Sequence, residues 1–211
     1  MAERHFERIA GRLALDFVNT VSGYRRGVPL DYLERYQDLL SWARQSGLLE
    51  ARAAALLVRE ADAHPRRAAQ ALAEAQRLRE ALHDVVLAVI EGRPPPDRPL
   101  GQLNGWIASA LSARRLLPDG QGRLALDWEA PRPGDLLFFL RPVAAEAAEM
   151  LARDPASGRL RCCAEAEAGN CGWLFFDESR NGARRFCSMS DCGNRAKARR
   201  HYRRVVSSRG S

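Results

Sequence analysis

All five cysteines of the chain, Cys162, Cys163, Cys171, Cys187 and Cys192, lie close together near its end, and the whole net charge lies there with them. Residues 1–158 carry 21 Arg against 21 Asp or Glu, whereas residues 159–211 carry 12 basic and 5 acidic residues, which accounts for the net +7. Arginine supplies 32 of the 33 basic residues, a bias of composition. Such a bias does not explain why the acidic partners thin out near residue 160. Clustered thiols in a chain without a signal peptide read as reduced cysteines or metal ligands rather than as disulfides. The opening MAERHFER is charged, and no apolar run approaches the 18 residues of a membrane span. A soluble, cytoplasmic protein is expected.

The remaining residues, 46% hydrophobic over the whole chain, are sufficient for a core. Arg12–Val18 alternates Leu13, Leu15 and Phe17 with Ala14, Asp16 and Val18, which predicts a strand ended by Asn19-Thr20 and Ser22-Gly23. Asp31 is the expected cap of a helix through Ser46, stopped by Gly47. Further helices are expected over Ala51–Ala63, from Pro65 to Gly92, over Leu100–Leu117, and from Pro142 to about Ala152. Leu124–Trp128 and Leu136–Leu140 read as short strands, and Asp154–Arg159 as a polar hinge. The fold class is therefore α+β: a mainly helical amino-terminal domain with a small sheet, residues 1–156, followed by a small module, residues 157–211.

In that module Cys171-Gly172 precedes an apolar strand, Trp173–Phe176. Ser179-Arg180-Asn181-Gly182 turns the chain, and Arg184–Phe186 leads back to Cys187. Cys192 follows where a helix begins. A cysteine loop, a hairpin and a cysteine pair at a helix start make a treble-clef-like zinc finger. Four thiolates suit one structural zinc ion, and a closed shell leaves no position for catalysis. Cys171, Cys187 and Cys192 are three of the ligands, and the fourth is Cys162 or Cys163. Neighbours on a strand point to opposite sides, so one of the two serves.

The segment CGWLFFDESRNGARRFCSMSDCGNRAKARRHYRR resembles the CGNR-type zinc finger, whose tetrapeptide stands at Cys192–Arg195. LALDFVNTV at Leu13–Val21 resembles the opening of the ABATE domain, the usual partner of that finger. The resemblance implies a stress-responsive bacterial transcription regulator, with an amino-terminal domain that senses an unidentified small ligand and a finger that contacts DNA. Aligning RLRCC with the family's first cysteine makes Cys163 the fourth ligand and leaves a three-residue insertion before Cys171.

On a helix over Gly193–Val206, Ala198, Tyr202 and Val205 share a face expected to pack on the hairpin. Lys197, Arg199, Arg200, His201, Arg203 and Arg204 occupy the opposite arc, without opposed charges at i, i+4. These cations, with Arg184 and Arg185 of the hairpin but without His201, are the candidate DNA-binding residues. Arg195 lies nearer the apolar face and is expected to brace the finger against Asp177 or Asp191. Asp16, Asn19, Thr20 and Arg79 are the candidate ligand-binding residues. No phosphate loop, HExxH or nucleophile elbow appears, so no enzyme is expected. Two other readings are a finger that binds RNA or a protein, and an enzyme with an unrecognised site. A homodimer would help one small finger reach useful specificity.

Overall fold

A computed structural model describes residues 4–22, 30–153 and 158–209, without the side chains of residues 203, 204 and 206–209. The element order is α1 (Leu13–Val18), β1 (Val21–Ser22), β2 (Leu30–Asp31), α2 (Tyr36–Gln45), α3 (Ala51–Ala63), α4 (Pro65–Ile90), α5 (Asp97–Ser112), β3 (Arg114–Pro118), β4 (Leu124–Trp128), α6 (Arg141–Arg153), β5 (Leu160–Cys162), β6 (Leu174–Phe176) and α7 (Asn194–Arg209). The strands form three separate antiparallel pairs, β1 with β2, β3 with β4 and β5 with β6.

Helix α4 is the centre. Proline at its first position supplies a fixed φ where no amide partner is needed. Gly92, at φ +66°, closes the far end. Its buried face runs through Ala68, Ala71, Ala75, Leu78, Leu82, Val85 and Val86. The small residues near its start let neighbouring helices approach closely. Around it pack α1, α2, α3 and α5, while α6 closes against α5 and α1. The core is one continuous cluster from Phe6, Phe17 and Trp42 through Leu78 and Phe139 to Phe175 and four of the cysteines. The module from residue 159 onward thus shares its interior with the helices.

Several local expectations are corrected. Leu13–Val18 is a helix: Ala14, Leu15, Phe17 and Val18 are all buried while Leu13 and Asp16 are less so, a 3–4 spacing rather than a two-sided alternation. Asp31 is not the cap of α2. That helix begins after Arg35, whose N–H is accepted by Asp38 at 2.9 Å. Helix α5 stops at Ser112, and the residues expected to continue it form β3, paired with β4. Leu136–Leu140 holds no strand. Phe138–Leu140 is a 3₁₀ turn leading into α6. Gly23 and residues 154–157 of the expected hinge lie outside the described residues.

The corrected α1 positions the module. Its two flanks grip the outer edge of β6. Before the helix, the Ala10 carbonyl accepts from Phe176 N–H at 2.7 Å. After it, the Asn19 carboxamide accepts from Leu174 N–H at 3.0 Å and donates to the Leu174 carbonyl at 2.8 Å. Residues 174 and 176 point their backbone groups the same way, so helix flanks replace a missing strand on that side. Gly11 permits the approach: it sits at φ +77°, and a Cβ there would lie 3.1 Å from the Phe176 carbonyl oxygen. Trp173 Nε1 donates to the Val21 carbonyl at 3.0 Å.

Candidate metal centre and nucleic-acid interface

Strand β6 pairs with β5, with Leu160, Arg161 and Cys162 opposite Phe176, Phe175 and Leu174. The expected hairpin partner, Arg184–Phe186, forms no strand. The turn at Ser179–Gly182 is present, closed by Gly182 N–H to the Ser179 carbonyl at 3.1 Å. Asp177 organises it by accepting from Ser179 N–H, the Ser179 hydroxyl and Arg184 N–H at 2.9, 2.5 and 2.8 Å. Burial alone would raise the Asp177 pKa, but these donors outweigh it and hold the carboxyl below the usual range.

These elements bring Cys163, Cys171, Cys187 and Cys192 together with all four Sγ atoms within 4.8 Å of one another. Cys163 leaves β5, Cys171 precedes β6, Cys187 follows the turn, and Cys192 sits in a single π turn, Met189–Gly193, that opens α7. The Sγ atoms of Cys171 and Cys187 are 3.7 Å apart, and those of Cys187 and Cys192 are 3.6 Å apart. A tetrahedron with Zn–S bonds of about 2.3 Å has edges of about 3.8 Å, so the thiols fit one zinc ion. Cys162 is not among the converging thiols.

Without a cation four buried thiols cannot all ionise. Hydrogen bonds from Cys171 and Cys187 pull the Cys163 pKa down, and the thiolate they favour pushes those of Cys171 and Cys187 up. Burial raises that of Cys192. A divalent ion reverses this order by binding all four as thiolates. Four thiolates around Zn²⁺ leave a net double negative charge, and two groups offset it. Cys187 N–H points at Cys163 Sγ at 3.5 Å, and Arg195 Nη2 lies 3.4 Å from Cys192 Sγ. Arg195 also meets Asp191 at 2.6 Å. It therefore braces the π turn, through Asp191 rather than Asp177.

Of the expected apolar face of α7 only Val205 is half-buried. Ala198 is exposed and Tyr202 is 71% exposed. Contact with the body comes instead through Cys192, Gly193, Ala196 and Arg199, along the first two turns. The reason is electrostatic. Glu165 is buried, and its carboxylate is paired with the Arg199 guanidinium. A buried carboxylate needs such a partner, so the helix turns Arg199 inward.

The candidate DNA-binding residues therefore divide. Arg199 is tied to Glu165. Arg184 stacks over Phe175 at 4.4 Å and donates to the carbonyls of Ile9 at 2.9 Å, Phe186 at 3.0 Å and Cys187. It is a brace between the module and the amino-terminal segment. Arg185, Lys197 and Arg200 are exposed and carry no ion pair among the described residues, and His201 is exposed beside them. Arg203 and Arg204 continue the helix, with side chains outside the described residues. The Arg195–Asp191 pair is one of the two braces expected for Arg195, whereas the Arg199–Glu165 pair has no counterpart in the sequence reading. Asp191 lies just before the helix, and Glu165 lies 34 positions away.

Of the candidate ligand-binding residues, Asp16, Asn19 and Thr20 line a cleft of about 580 Å³ between the amino-terminal segment and the cysteine site, faced by Trp173 and Cys192. Asn19 is at the same time the clamp on β6. Burial raises the Asp16 pKa to about 6, against the opposing Ala10 N–H and reinforced by the nearby Glu146 carboxylate. Arg79 is not in the cleft. It is buried, pairing both of its terminal nitrogens with Asp31 at 2.8 and 2.6 Å and meeting the Thr20 hydroxyl at 3.2 Å. Asp31, expected as a helix cap, is the residue that sequence reasoning missed here. Its partner lies 48 positions on, and no local pattern signals it.

No helix among the described residues is long and apolar enough to cross a membrane. A search of curated proteins found no match. Residues 159–205 match the CGNR zinc finger family. Residues 11–154 match the family described as "putative stress-induced transcription regulator", ABATE. With more than half of its length covered by that match and the four-cysteine site behind it, the chain belongs to the ABATE family and carries a CGNR zinc finger with one structural zinc site.

Proposed function

We propose that the chain regulates transcription by binding DNA through α7 while its amino-terminal domain, residues 1–156, senses a small polar ligand in the cleft at Asp16, Asn19 and Thr20. The observation that carries the DNA half is the exposed cationic pair Lys197 and Arg200 on a helix rooted at Cys192 in the metal site, with Arg185 exposed in the segment that leads to Cys187. A rod fixed at one end holds its charges at a set spacing against the phosphates of a duplex, which lowers the ordering cost of binding. The sensing half rests on the position of the cleft, walled by residues of both the ABATE and the CGNR segments. A ligand seated there touches Asn19 and Trp173 together and so acts on the joint that carries α7. It couples to DNA affinity by whatever it gains from one arrangement of that joint over another. In this reading the protein is a cytoplasmic binding protein and not an enzyme.

Fluorescence anisotropy of labelled duplexes with the zinc-loaded protein, over a salt series, tests the DNA half. The logarithm of affinity should fall linearly with that of salt, by about 0.9 per phosphate neutralised. Arg200→Ala should weaken all sequences alike and lower the slope by about one. Arg184→Ala should lower stability and leave the slope of the folded protein unchanged. An absence of duplex binding at low salt with zinc bound would reject the reading. Salt-insensitive binding to RNA or a protein would replace it with an interaction module.

A further inference from the structure

The hairpin β3–β4 is the one strand pair in which no residue of either strand is fully buried, among the described residues. It is joined to the body at its base, where Glu129 N–H donates to the Ala113 carbonyl at 2.7 Å and Arg141 reaches the Glu129 carbonyl at 3.2 Å. Beyond that base it stands in solvent. The register sets Arg114 opposite Trp128, Leu116 opposite Leu126 and Pro118 opposite Leu124 on one face, with Arg115–Asp127 and Leu117–Ala125 on the other. Leu116, Leu124 and Leu126 are 65%, 68% and 57% exposed. An antiparallel sheet ordinarily buries one face, and an isolated two-stranded hairpin is marginal in water. Three cross-strand apolar residues and a proline in one row are the pattern of a buried face with nothing yet over it.

We infer that this leucine face is the dimer interface of the protein, packed against the same face of a second copy. Charge selects that occupant. Residues 114–129 hold three arginines and three acidic residues, a net of zero. Most of those charges are engaged within the hairpin or at its base: Arg123 with Asp119 at 2.8 Å, Arg115 with Glu129 at 3.1 Å, and Arg114 over the Trp128 ring at 4.5 Å. A neutral face has no attraction for nucleic acid. It also has no repulsion for itself, which a twofold interface requires because each patch meets its own copy. Two such faces stacked about 10 Å apart would make a two-layer sandwich with Leu116, Leu124 and Leu126 inside and the Arg115–Asp127 and Leu117–Ala125 pairs outside. Exposed apolar patches of roughly 300–600 Å² already mark functional surfaces on monomers. A stable dimer needs about 800 Å² from each partner, more than the three leucines offer, so in this proposal the row is the apolar centre and the hairpin's charged ends complete the interface as its rim.

Sedimentation equilibrium of the full zinc-loaded chain tests this directly. The wild type should weigh twice the 23.5 kDa of one chain. The double variant Leu116→Lys, Leu126→Lys should weigh one, its dimer dissociation constant raised by at least about 100-fold, with circular dichroism and zinc content unchanged because both side chains face solvent in the single chain. Hydrogen exchange of the wild type gives a second readout that needs no variant: amides of residues 114–128 should gain protection as concentration rises through the dissociation constant. A wild type that stays monomeric at 100 μM, on the order of the weakest useful association, overturns the proposal. So does a dimer that the double variant leaves intact, or exchange in the hairpin that ignores concentration. Protection of these amides by duplex in a monomeric protein would assign the face to DNA and overturn it equally.

Discussion

Replacing Asn19 by Ala removes both hydrogen bonds that the side chain makes to the backbone of Leu174, at 3.0 and 2.8 Å. Leu174 is fully buried, so its N–H and carbonyl on that side lose their partners together. An unmet buried backbone group costs about 1–3 kcal/mol, and two of them about 2–6. Asn19 also lines the cleft, through which one water can reach a vacated site, so the expected loss is about 2–4 kcal/mol. For a chain of this size that lowers Tm by about 5–15 °C. Urea denaturation of the zinc-loaded protein measures the loss, and hydrogen exchange at Leu174 locates it. Asn19→Asp is the diagnostic companion. It keeps an acceptor for Leu174 N–H but sets a carboxylate oxygen against the Leu174 carbonyl, so it should cost at least as much near neutral pH. The deficit should shrink in acid, where the protonated carboxyl can donate again. A loss below about 0.5 kcal/mol for Asn19→Ala, with Leu174 still protected, would refute the claim that this amide stands in for a strand.

Asp16 has a folded pKa of about 6, above its ordinary 3.8, so the native state holds the proton more tightly than the unfolded chain. Stability attributable to it is complete below pH 4 and declines as pH rises through 6; Asp16→Asn should therefore stabilise by about 1–3 kcal/mol at pH 7.5 and flatten the pH dependence between 4 and 7, followed by thermal melts. Gly11→Ala forces a left-handed φ of +77° on a residue with a Cβ and drives that Cβ to 3.1 Å from the Phe176 carbonyl. It should destabilise by about 2–4 kcal/mol, whereas Gly122→Ala, at φ +79° with open space around it, should cost only about 1. Cys163→Ser should weaken zinc binding by more than about 100-fold in competition with a chromophoric chelator, since loss of a hydrogen-bond partner of a ligand alone costs 10–100-fold. Cys162→Ser should retain one zinc per chain, and the opposite ranking would place the fourth ligand on the wrong neighbour.

The long helices were legible because their boundaries carry local chemistry. Pro65 opens α4 and Gly92 closes it, and Gly47, at φ +74°, ends the turn after α2. The cysteine site was legible for the same reason: spacing within one short segment, with Gly-Trp after Cys171 and a helix start at Cys192, carries most of its geometry. What misled was pairing over distance. Leu13, Leu15 and Phe17 alternate as a strand would, and only the burial of Ala14 and Val18 from a second side reveals a helix. Strand β6 takes β5 rather than the segment after the turn, because α1 fills its other edge. The inward turn of Arg199 depends on Glu165, and that of Arg79 on Asp31. No neighbouring residue announces either partner, so from sequence Arg199 reads as a DNA contact and Arg79 as a ligand contact.

The grip of α1 on β6 bears on how such a finger can be reused. Cut at residue 159 and grafted elsewhere, it would carry away Phe175 and Phe176 without their cover and leave the outer backbone of Leu174 bare. A transplant that brings Ala10–Asn19 along, even on a separate peptide, restores the edge. In that sense the smallest portable unit is discontinuous, assembled from the two extremities of the chain.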